Sequence, residues 1–193
     1  GLDLVSEPAP GYEHDWLVGD CLDPGTSDTA VRGVDAVVHL AGNPDEDSLP
    51  GALESHVHTT ARLLEAMVAH GVDRIAYASS NHAVGRTPSG AELTTTVRPR
   101  PDTFYGTAKV AAEALLSLYV DRFDVSAVAM RIGTFADAPE TVRQLSTWLS
   151  PDDAVRMVDA AIKHPAPGYT VVNGISANTR GWWDLAPGRA IGF

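Results

Sequence analysis

A tyrosine and a lysine four positions apart are the residues of this sequence whose spacing most directly suggests chemistry. Tyr105 and Lys109 lie near the start of a segment with helical periodicity, which places both side chains on one helix face. An ammonium group close to a phenol favours the phenolate, so we expect the pKa of Tyr105 to move from about 10 toward neutrality. Such a tyrosine can accept a hydroxyl proton. An ordinary pair on a helix surface is the alternative interpretation.

A serine is expected close to this pair. Ser80 follows the apolar, β-rich stretch Arg74–Ala78 and precedes the helix that carries Tyr105. Ligands of parallel sheets bind at the carboxyl ends of the strands, where Ser80 could donate a hydrogen bond to the same substrate oxygen as Tyr105. Small or polar residues also follow two other predicted strands and are expected at the same edge: Ala41-Gly42 and Gly133-Thr134.

Short apolar runs alternate with helical patterns along the chain. The runs predict strands at Gly1–Val5, Asp15–Val18, Ala36–His39, Arg74–Ala78, Ser126–Arg131 and Tyr169–Val172. The periodicity predicts helices at Leu53–His70 with Gly71 as a stop, at Thr103–Arg122, and at Pro151–Lys163 with Ser150 as N-cap. Arg86–Arg100 is predicted to be a polar loop. This alternation indicates an α/β fold with a Rossmann-type, doubly wound parallel sheet.

Length and composition indicate one globular domain. The chain has 193 residues, of which 44% are hydrophobic and 20% charged, and its formal net charge is −11. The negative charge argues against nucleic acid as a partner, and no apolar run is long enough to span a membrane. The single Cys21 excludes an internal disulfide framework and fits a reducing, cytoplasmic location. The histidines show no metal-ligand spacing with Cys21 or with carboxylates, so no metal is predicted.

A serine pair at a strand end, followed by Tyr-x-x-x-Lys on the next helix, resembles the extended short-chain dehydrogenase/reductases, the NAD-dependent epimerase/dehydratase superfamily. The finer resemblance is to the NAD-dependent uronate dehydrogenases. The strings that support it occur in the family's order across nearly the whole chain: Ala78-Ser79-Ser80-Asn81-His82-Ala83-Val84-Gly85, Arg100-Pro101-Asp102-Thr103-Phe104-Tyr105-Gly106, Arg131-Ile132-Gly133-Thr134, Ser146-Thr147-Trp148-Leu149-Ser150, and Ser176-Ala177-Asn178-Thr179-Arg180-Gly181-Trp182-Trp183-Asp184.

The resemblance implies oxidation of a hexuronate at its anomeric carbon to an aldarolactone, with hydride passing to NAD. The resemblance implies that Tyr105 is the base and that Ser80 binds the reacting hydroxyl. It implies that Lys109 modulates the pKa of Tyr105 and also binds the nicotinamide ribose. The implied substrate-binding residues are Asn81 and His82 for the sugar hydroxyls, Arg143 for the carboxylate, and Thr134, which keeps the hydroxyl of the serine usual there.

The resemblance also implies a set of cofactor-binding residues. Asp3 matches the acidic residue that binds the adenosine ribose hydroxyls, and an acid there favours NAD over NADP. Asp20 would touch the adenine. The remaining candidates are Leu40, Ala41 and Gly42, which follow the third predicted strand, together with Tyr105 and Lys109.

Several of these residues have an ordinary structural alternative. His82 could be a hydrogen-bonded loop histidine, and Arg143 a solvated surface residue. Asp20 could cap the turn that follows it. The tryptophans are expected in the core or in a subunit contact rather than as substrate platforms: Trp148, Trp182 and Trp183.

The sequence departs from the family pattern at four places. The first strand and the Gly-x-x-Gly-x-x-Gly turn, which would approach the pyrophosphate, are not among these residues. Relatives also continue beyond Ile191-Gly192-Phe193, so residues 1–193 are interpreted as one Rossmann-type domain, incomplete at its amino end and also at its carboxyl end. Pro44 stands where the family has a serine that touches the sugar, and His56 stands where an asparagine is usual.

Two further classes of function remain open. Within the superfamily, the alternatives are a sugar or nucleotide-sugar epimerase/dehydratase and a hexose-phosphate dehydrogenase. In a different class is a cofactor-free binding protein built on a degraded Rossmann fold, and the combination of Tyr105, Lys109 and Ser80 speaks against it. Relatives in the superfamily commonly pair through two long helices, here Leu53–His70 and Thr103–Arg122, so a homo-oligomer is expected.

Overall fold

The computed structural model describes residues 1–8, 11–165 and 168–193. Its strands are β1 (Leu2–Asp3), β2 (Leu17–Val18), β3 (Val37–His39), β4 (Arg74–Ser80), β5 (Ser126–Ile132), β6 (Thr134–Phe135), β7 (Trp148–Leu149) and β8 (Tyr169–Gly174). Its α-helices are α1 (Pro24–Val31), α2 (Leu49–Leu53), α3 (Thr59–His70), α4 (Phe104–Arg122), α5 (Gln144–Thr147), α6 (Pro151–Lys163) and α7 (Ala186–Ile191). A π-helical turn at Glu54–His58 joins α2 to α3, and a 3-10 turn follows β4 at Asn81–Val84.

A four-stranded parallel sheet forms the centre of the molecule, with the strand order β3-β4-β5-β8. Strands β1 and β2 form a separate parallel pair, and so do β6 and β7. Because all strands of the central sheet run in the same direction, their carboxyl ends lie at one edge. The predicted α/β class with a parallel sheet is therefore confirmed.

Helices cover both faces of the central sheet. On one face, Leu64 and Met67 of α3 and Leu116 of α4 pack in the same apolar cluster as Tyr77 of β4. On the other face, a second cluster joins the sheet to α6 and α7; its members include Val128, Met130, Met157, Val172 and Ile191. Strands that are covered on both sides carry apolar residues at successive positions, which explains the continuous runs in the sequence.

Several helix ends follow the predicted signals. Gly71 ends α3 in the left-handed conformation with φ 71°, where glycine is favoured. The side chain of Ser150 accepts a hydrogen bond from the backbone N–H of Asp153, with Pro151 at the first helical position of α6. The predicted helices at Thr103–Arg122 and Pro151–Lys163 are confirmed within one residue at each end.

The structure also contains helices that the periodicity does not predict. Helix α1 buries only Ser27 and Val31, so its sequence carries almost no apolar stripe. The predicted helix Leu53–His70 begins earlier, at the N-cap Ser48, and is interrupted by the π-helical turn. Short elements were also missed, namely α5, β6, β7 and α7, because segments of two to six residues show no measurable period.

Candidate active site

The carboxyl end of β4 and the first turns of α4 hold the predicted chemical residues. Thr103 caps α4 by accepting a hydrogen bond from the backbone N–H of Gly106, which fixes the helix start just before Tyr105. One turn later, Nζ of Lys109 donates a hydrogen bond of 2.7 Å to the backbone oxygen of Ala78 in β4. The same nitrogen lies 5.4 Å from the ring centroid of Tyr105. The structure thus brings Tyr105, Lys109 and the end of β4 together.

Burial dominates the electrostatics of this pair. It raises the pKa of Tyr105 above its ordinary value of 10, and a hydrogen bond with Ser80 acts in the opposite direction. Burial lowers the pKa of Lys109 to about 8, although the carboxylate of Glu113 opposes that effect. The expected shift of the Tyr105 pKa toward neutrality is therefore not found. The reason is that the Lys109 ammonium hydrogen-bonds to Ala78 and lies near the aromatic ring rather than at the hydroxyl.

The 3-10 turn after β4 presents Asn81 and His82 beside the tyrosine. Ser80 Oγ donates a hydrogen bond to Oδ1 of Asn81 at 3.3 Å and accepts one from the backbone N–H of His82 at 3.2 Å. The rings of His82 and Tyr105 meet edge to face with their centroids 5.8 Å apart. Nδ1 of His82 and Oδ1 of Asp102 are 2.9 Å apart. Four of the predicted site residues therefore form one cluster: Ser80, Asn81, His82 and Tyr105.

A second histidine packs against the other side of Tyr105. The rings of His56 and Tyr105 are also edge to face, with 5.0 Å between their centroids. Nε2 of His56 hydrogen-bonds the backbone oxygen of Asn43 at 2.9 Å, while its Nδ1 is buried with no hydrogen-bond partner among the described residues. Burial, followed by the charge of Lys109, lowers the pKa of His56 to about 4, which keeps the ring neutral at physiological pH.

The remaining substrate-binding candidates lie on the segment after β5. Thr134 is in β6, and its Oγ1 is 3.1 Å from Oγ1 of Thr147. Arg143 is exposed, and no hydrogen bond or ion pair joins its side chain to another residue in the described part of the chain. The structure therefore does not bring Arg143 into contact with the cluster around Tyr105.

The cofactor-binding candidates follow the carboxyl ends of β1, β2 and β3. Asp3, the last residue of β1, and Asp20, two residues after β2, are exposed, and the two strands are hydrogen-bonded to each other. Oδ1 of Asp20 accepts a hydrogen bond from the backbone N–H of Leu22 at 2.8 Å, as the capping alternative predicts. Leu40 and Ala41 are exposed as well, and Leu40 is 63% exposed.

These residues fit part of a dinucleotide. Two carboxylates on adjacent strand ends suit ribose hydroxyls, which donate hydrogen bonds. At Gly42, φ is 144° and a Cβ atom would lie 2.4 Å from Nδ1 of His56, so only glycine allows the backbone to follow this path. The turn that would bind a pyrophosphate is not among the residues of this sequence.

The structure adds a carboxylate that orients the start of α4. Oε1 of Glu46 accepts a hydrogen bond from the backbone N–H of Phe104 at 2.9 Å, and Oε2 accepts one from that of Tyr105 at 3.3 Å. An anion at a helix N-terminus satisfies free N–H groups and interacts favourably with the helix dipole. Glu46 is not predictable from the sequence, because nothing local indicates that a residue in an exposed loop contacts a helix that begins almost 60 residues later.

A buried ion pair forms directly behind the catalytic candidates. Glu113 lies one turn after Lys109, and Arg131 donates to both of its oxygens, from Nε at 3.0 Å and from Nη2 at 2.7 Å. Ser79 Oγ also donates to Glu113, at 2.6 Å, and Nη1 of Arg131 reaches the backbone oxygen of Thr95. The pair thus joins α4, β4 and β5 to the loop at 86–100. The spacing of Tyr105, Lys109 and Glu113 at intervals of four was a signal that could have indicated it.

The tryptophans lie mainly in structural positions. Trp183 is buried in an apolar cluster with Val84, Leu93 and Ile175, and Trp182 packs against that cluster. Nε1 of the half-buried Trp148 donates a hydrogen bond of 2.7 Å to the backbone oxygen of Ala136. These contacts agree with the expectation that the tryptophans have a structural role rather than form platforms for the substrate.

Two kinds of feature do not occur among residues 1–8, 11–165 and 168–193. Within these ranges, no helix combines the length and apolarity that crossing a bilayer requires. No group of three or more His, Cys, Asp and Glu side chains in this part of the chain is arranged to hold a metal ion.

A parallel sheet covered by helices on both faces, with a tyrosine, a lysine and a serine at its carboxyl edge, defines a protein of the Rossmann type. Comparison with known proteins gives the family. Residues 4–138 match the model of the NAD dependent epimerase/dehydratase family, and the chain belongs to that family.

Three similar proteins give a finer comparison. The chain is 34% identical to a uronate dehydrogenase of Pseudomonas putida over 96% of its own length and 69% of the relative. It is 39% identical to a uronate dehydrogenase of Agrobacterium fabrum, with 86% of this chain and 62% of that relative covered. A solved structure of a uronate dehydrogenase mutant from Agrobacterium tumefaciens, complexed with NAD, superimposes with a TM-score of 0.93 at 36% identity, covering 99% of this chain and 72% of that one. The chain thus spans about two thirds of the length of these proteins.

Proposed function

We propose that this chain forms the larger part of an NAD-dependent dehydrogenase that oxidises a hexuronate at its anomeric carbon to an aldarolactone. The observation that carries the proposal is the position of Tyr105, which packs against His82 of the turn after Ser80 and lies within one helical turn of a buried lysine. The similarity to uronate dehydrogenases over nearly the whole chain supports the substrate class.

Ser80 and Tyr105 would both bind the anomeric hydroxyl of the sugar. Tyr105 packs against the 3-10 turn that directly follows Ser80, so one substrate oxygen bound at this point is proposed to contact both side chains. During oxidation the O–H bond of this hydroxyl breaks, and its proton passes to the phenolate oxygen of Tyr105. NAD, when bound, supplies the acceptor for the hydride that leaves the anomeric carbon. The carbon–oxygen bond becomes the carbonyl of the lactone.

Lys109 would stabilise the phenolate that this step requires. Lys109 is 3% exposed, and its Nζ lies 5.4 Å from the centroid of the Tyr105 ring. Because Lys109 is buried and Tyr105 is half-buried, the attraction between the ammonium and a phenolate would be stronger than on the surface. The resemblance assigns Lys109 the ribose of the cofactor as a second ligand. The residues that would hold the rest of the cofactor are Asp3, Asp20, Leu40, Ala41 and Gly42.

The remaining polar side chains would select the sugar. Asn81 and His82 lie next to Ser80 and are proposed to bind the other hydroxyls. Thr134 is proposed to bind the substrate from β6, and Arg143 to bind its carboxylate. An exposed arginine without a partner in the described residues is free to bind an anion from solvent. Pro44 provides no hydroxyl, so it cannot make the sugar contact that the resemblance implies for a serine at this position.

The proposal is tested by incubating the full-length protein with NAD and a panel of hexuronates, neutral aldoses and sugar phosphates. Formation of the reduced cofactor, measured by absorbance, is expected with hexuronates and not with phosphates. Turnover of a neutral sugar or a sugar phosphate, with none for hexuronates, would instead support the alternative of a related sugar dehydrogenase. No turnover and no NAD binding would favour the cofactor-free binding protein.

Replacing Arg143 with alanine is expected to raise KM for hexuronates about 10- to 100-fold, because a charged hydrogen bond to the carboxylate is lost. The value of kcat should change little, since the carboxylate is remote from the anomeric carbon. Steady-state kinetics on the full-length protein measure both constants. Arg122→Ala, which removes an exposed arginine at the end of α4, is the matched control. Equal KM values for Arg143→Ala and the parent would exclude a carboxylate contact at this position.

We also infer that the protein associates with a second copy through α3 and α4. Apolar side chains are exposed on these helices or directly after them: Val68, Leu118 and Phe123, at 38%, 45% and 42%. Exposed apolar groups of this kind support an interface. The cytoplasmic location stays a prediction from the cysteine content.

A further inference from the structure

A histidine–aspartate pair lies directly beside the proposed base. Nδ1 of His82 is 2.9 Å from Oδ1 of Asp102, and the His82 ring is perpendicular to that of Tyr105 within about ten degrees, at an interplanar angle of 80°. A carboxylate can only accept hydrogen bonds, so Nδ1 carries the proton in this contact. Nε2 has no hydrogen-bond partner among residues 1–8, 11–165 and 168–193, and in the neutral ring it is therefore a free acceptor.

The Asp102 carboxylate lies directly against the backbone of Gly85. A Cβ atom at Gly85 would lie 2.3 Å from Cγ and 2.4 Å from both carboxylate oxygens of Asp102. Gly85 also ends the 3-10 turn that carries His82, through a hydrogen bond from its N–H to the backbone oxygen of His82. On the other side, Asp102 directly precedes the N-cap Thr103 of the helix that holds Tyr105. Both partners are thus attached to the elements that form the site.

We propose that Asp102 is a positioning residue, which fixes the ring orientation and the tautomer of His82 so that Nε2 accepts a hydrogen bond from a sugar hydroxyl. The hydroxyl would be one next to the group that Tyr105 deprotonates. This inference rests on the proposed function and deepens it. A bare imidazole nitrogen pairs with a hydroxyl donor but not with a carboxylate, which has no proton to donate. His82 would therefore bind a hydroxyl group of the sugar. The carboxylate of the substrate must be bound by other residues.

A second histidine–aspartate contact in the same chain provides an internal reference. Nε2 of His70 lies 2.6 Å from Oδ1 of Asp28, at the carboxyl end of α3. Helix α3 ends just before β4 begins, so this contact lies at the edge of the sheet opposite to Tyr105. In this contact the carboxylate faces Nε2 of the histidine, whereas Asp102 faces Nδ1 of His82. His70 and His82 are therefore expected to be opposite tautomers within one protein.

Nitrogen-15 NMR of the full-length protein, labelled at its histidines, tests the tautomers directly. We expect the His82 proton on Nδ1 and the His70 proton on Nε2. In Asp102→Asn, the carboxylate charge is lost, and the ratio of the Nδ1–H to the Nε2–H form of His82 should fall about tenfold. The matched control Asp28→Asn should alter the resonances of His70 and leave those of His82 unchanged. A proton on Nε2 of His82 in the parent protein would overturn the inference.

Kinetics distinguish a positioning role from a merely structural one. Asp102→Asn is expected to raise KM for the sugar about tenfold while kcat and KM for NAD change less than about twofold. His82→Ala should raise KM similarly, and the double variant should add little to either single one. Additive losses, or an unchanged KM in Asp102→Asn, would overturn the inference. If the protein oxidises no sugar, the proposed function fails, and the tautomer shift in Asp102→Asn then decides the positioning role by itself.

Discussion

Replacing Tyr105 with phenylalanine is expected to lower kcat of the full-length protein about 10³-fold, which is the usual contribution of a positioned acid–base group. The substitution removes only the hydroxyl oxygen. The ring keeps its edge-to-face contacts with His56 and His82, so the helix and the 3-10 turn should remain in place. NAD affinity should be nearly unchanged, because the resemblance gives the ribose a second ligand in Lys109.

Stopped-assay or absorbance kinetics give kcat, and titration calorimetry gives the affinity for NAD. The matched control is Tyr119→Phe, which makes the same change on the same helix where the ring packs against Phe123. That variant should retain the activity of the parent. An active Tyr105→Phe protein would remove Tyr105 as the base and with it the proposed mechanism. A loss of activity accompanied by loss of NAD binding would point to a structural role instead.

The pKa values explain why the tyrosine needs its partners. Burial alone holds the pKa of Tyr105 above 10, which disfavours the phenolate at neutral pH. Ser80 lowers the pKa of Tyr105 and so favours the phenolate, whereas the Lys109 ammonium is directed at the Ala78 oxygen. The spacing of Tyr105 and Lys109 correctly predicts their proximity but not the direction of the ammonium group. That direction depends on a strand oxygen far away in the sequence.

The central sheet was predictable for a physical reason. The middle positions of strands buried on both faces are mostly apolar, so β4 and β5 contain the uninterrupted apolar runs 75–78 and 127–130. Helix α6 was predictable because Ser150 and Pro151 are strong start signals. By contrast, α1 depends on Asp23 as an N-cap and on packing against α3, and its own residues show little apolar periodicity.

The residues of the candidate site likewise form two groups, those that the sequence predicts and those that it does not. Ser80, Asn81, His82 and Tyr105 come from two short stretches, and the topology alone places the ends of those stretches together. Asp102 belongs to one of the strings that carry the resemblance, but its contact with His82, 20 residues earlier, is visible only in the folded chain. Glu46 and Arg131 act through contacts with α4 from distant parts of the chain. Such pairings follow from side-chain directions in the folded protein, which periodicity and spacing do not contain.

The largest expected effect on stability is that of Arg131→Met. Arg131 and Glu113 are 3% and 5% exposed, so removing the guanidinium leaves a carboxylate buried without its cation. The loss in the free energy of unfolding should be about 3–5 kcal/mol, because an unpaired buried charge is much more costly than a broken surface pair. Methionine approximates the volume of the arginine stem, so the loss is electrostatic rather than a cavity effect. Urea denaturation followed by tryptophan fluorescence measures it.

Two further variants show whether the charge is responsible. Arg62→Met removes the cation of an exposed pair with Glu65, and it should cost less than about 1 kcal/mol. In the double variant Arg131→Met with Glu113→Gln, the buried charge is gone and Ser79 keeps a hydrogen-bond acceptor. About half of the stability lost in Arg131→Met should therefore return. A double variant as unstable as the sum of the two single variants would contradict this account, because it would mean that the two side chains stabilise the fold independently.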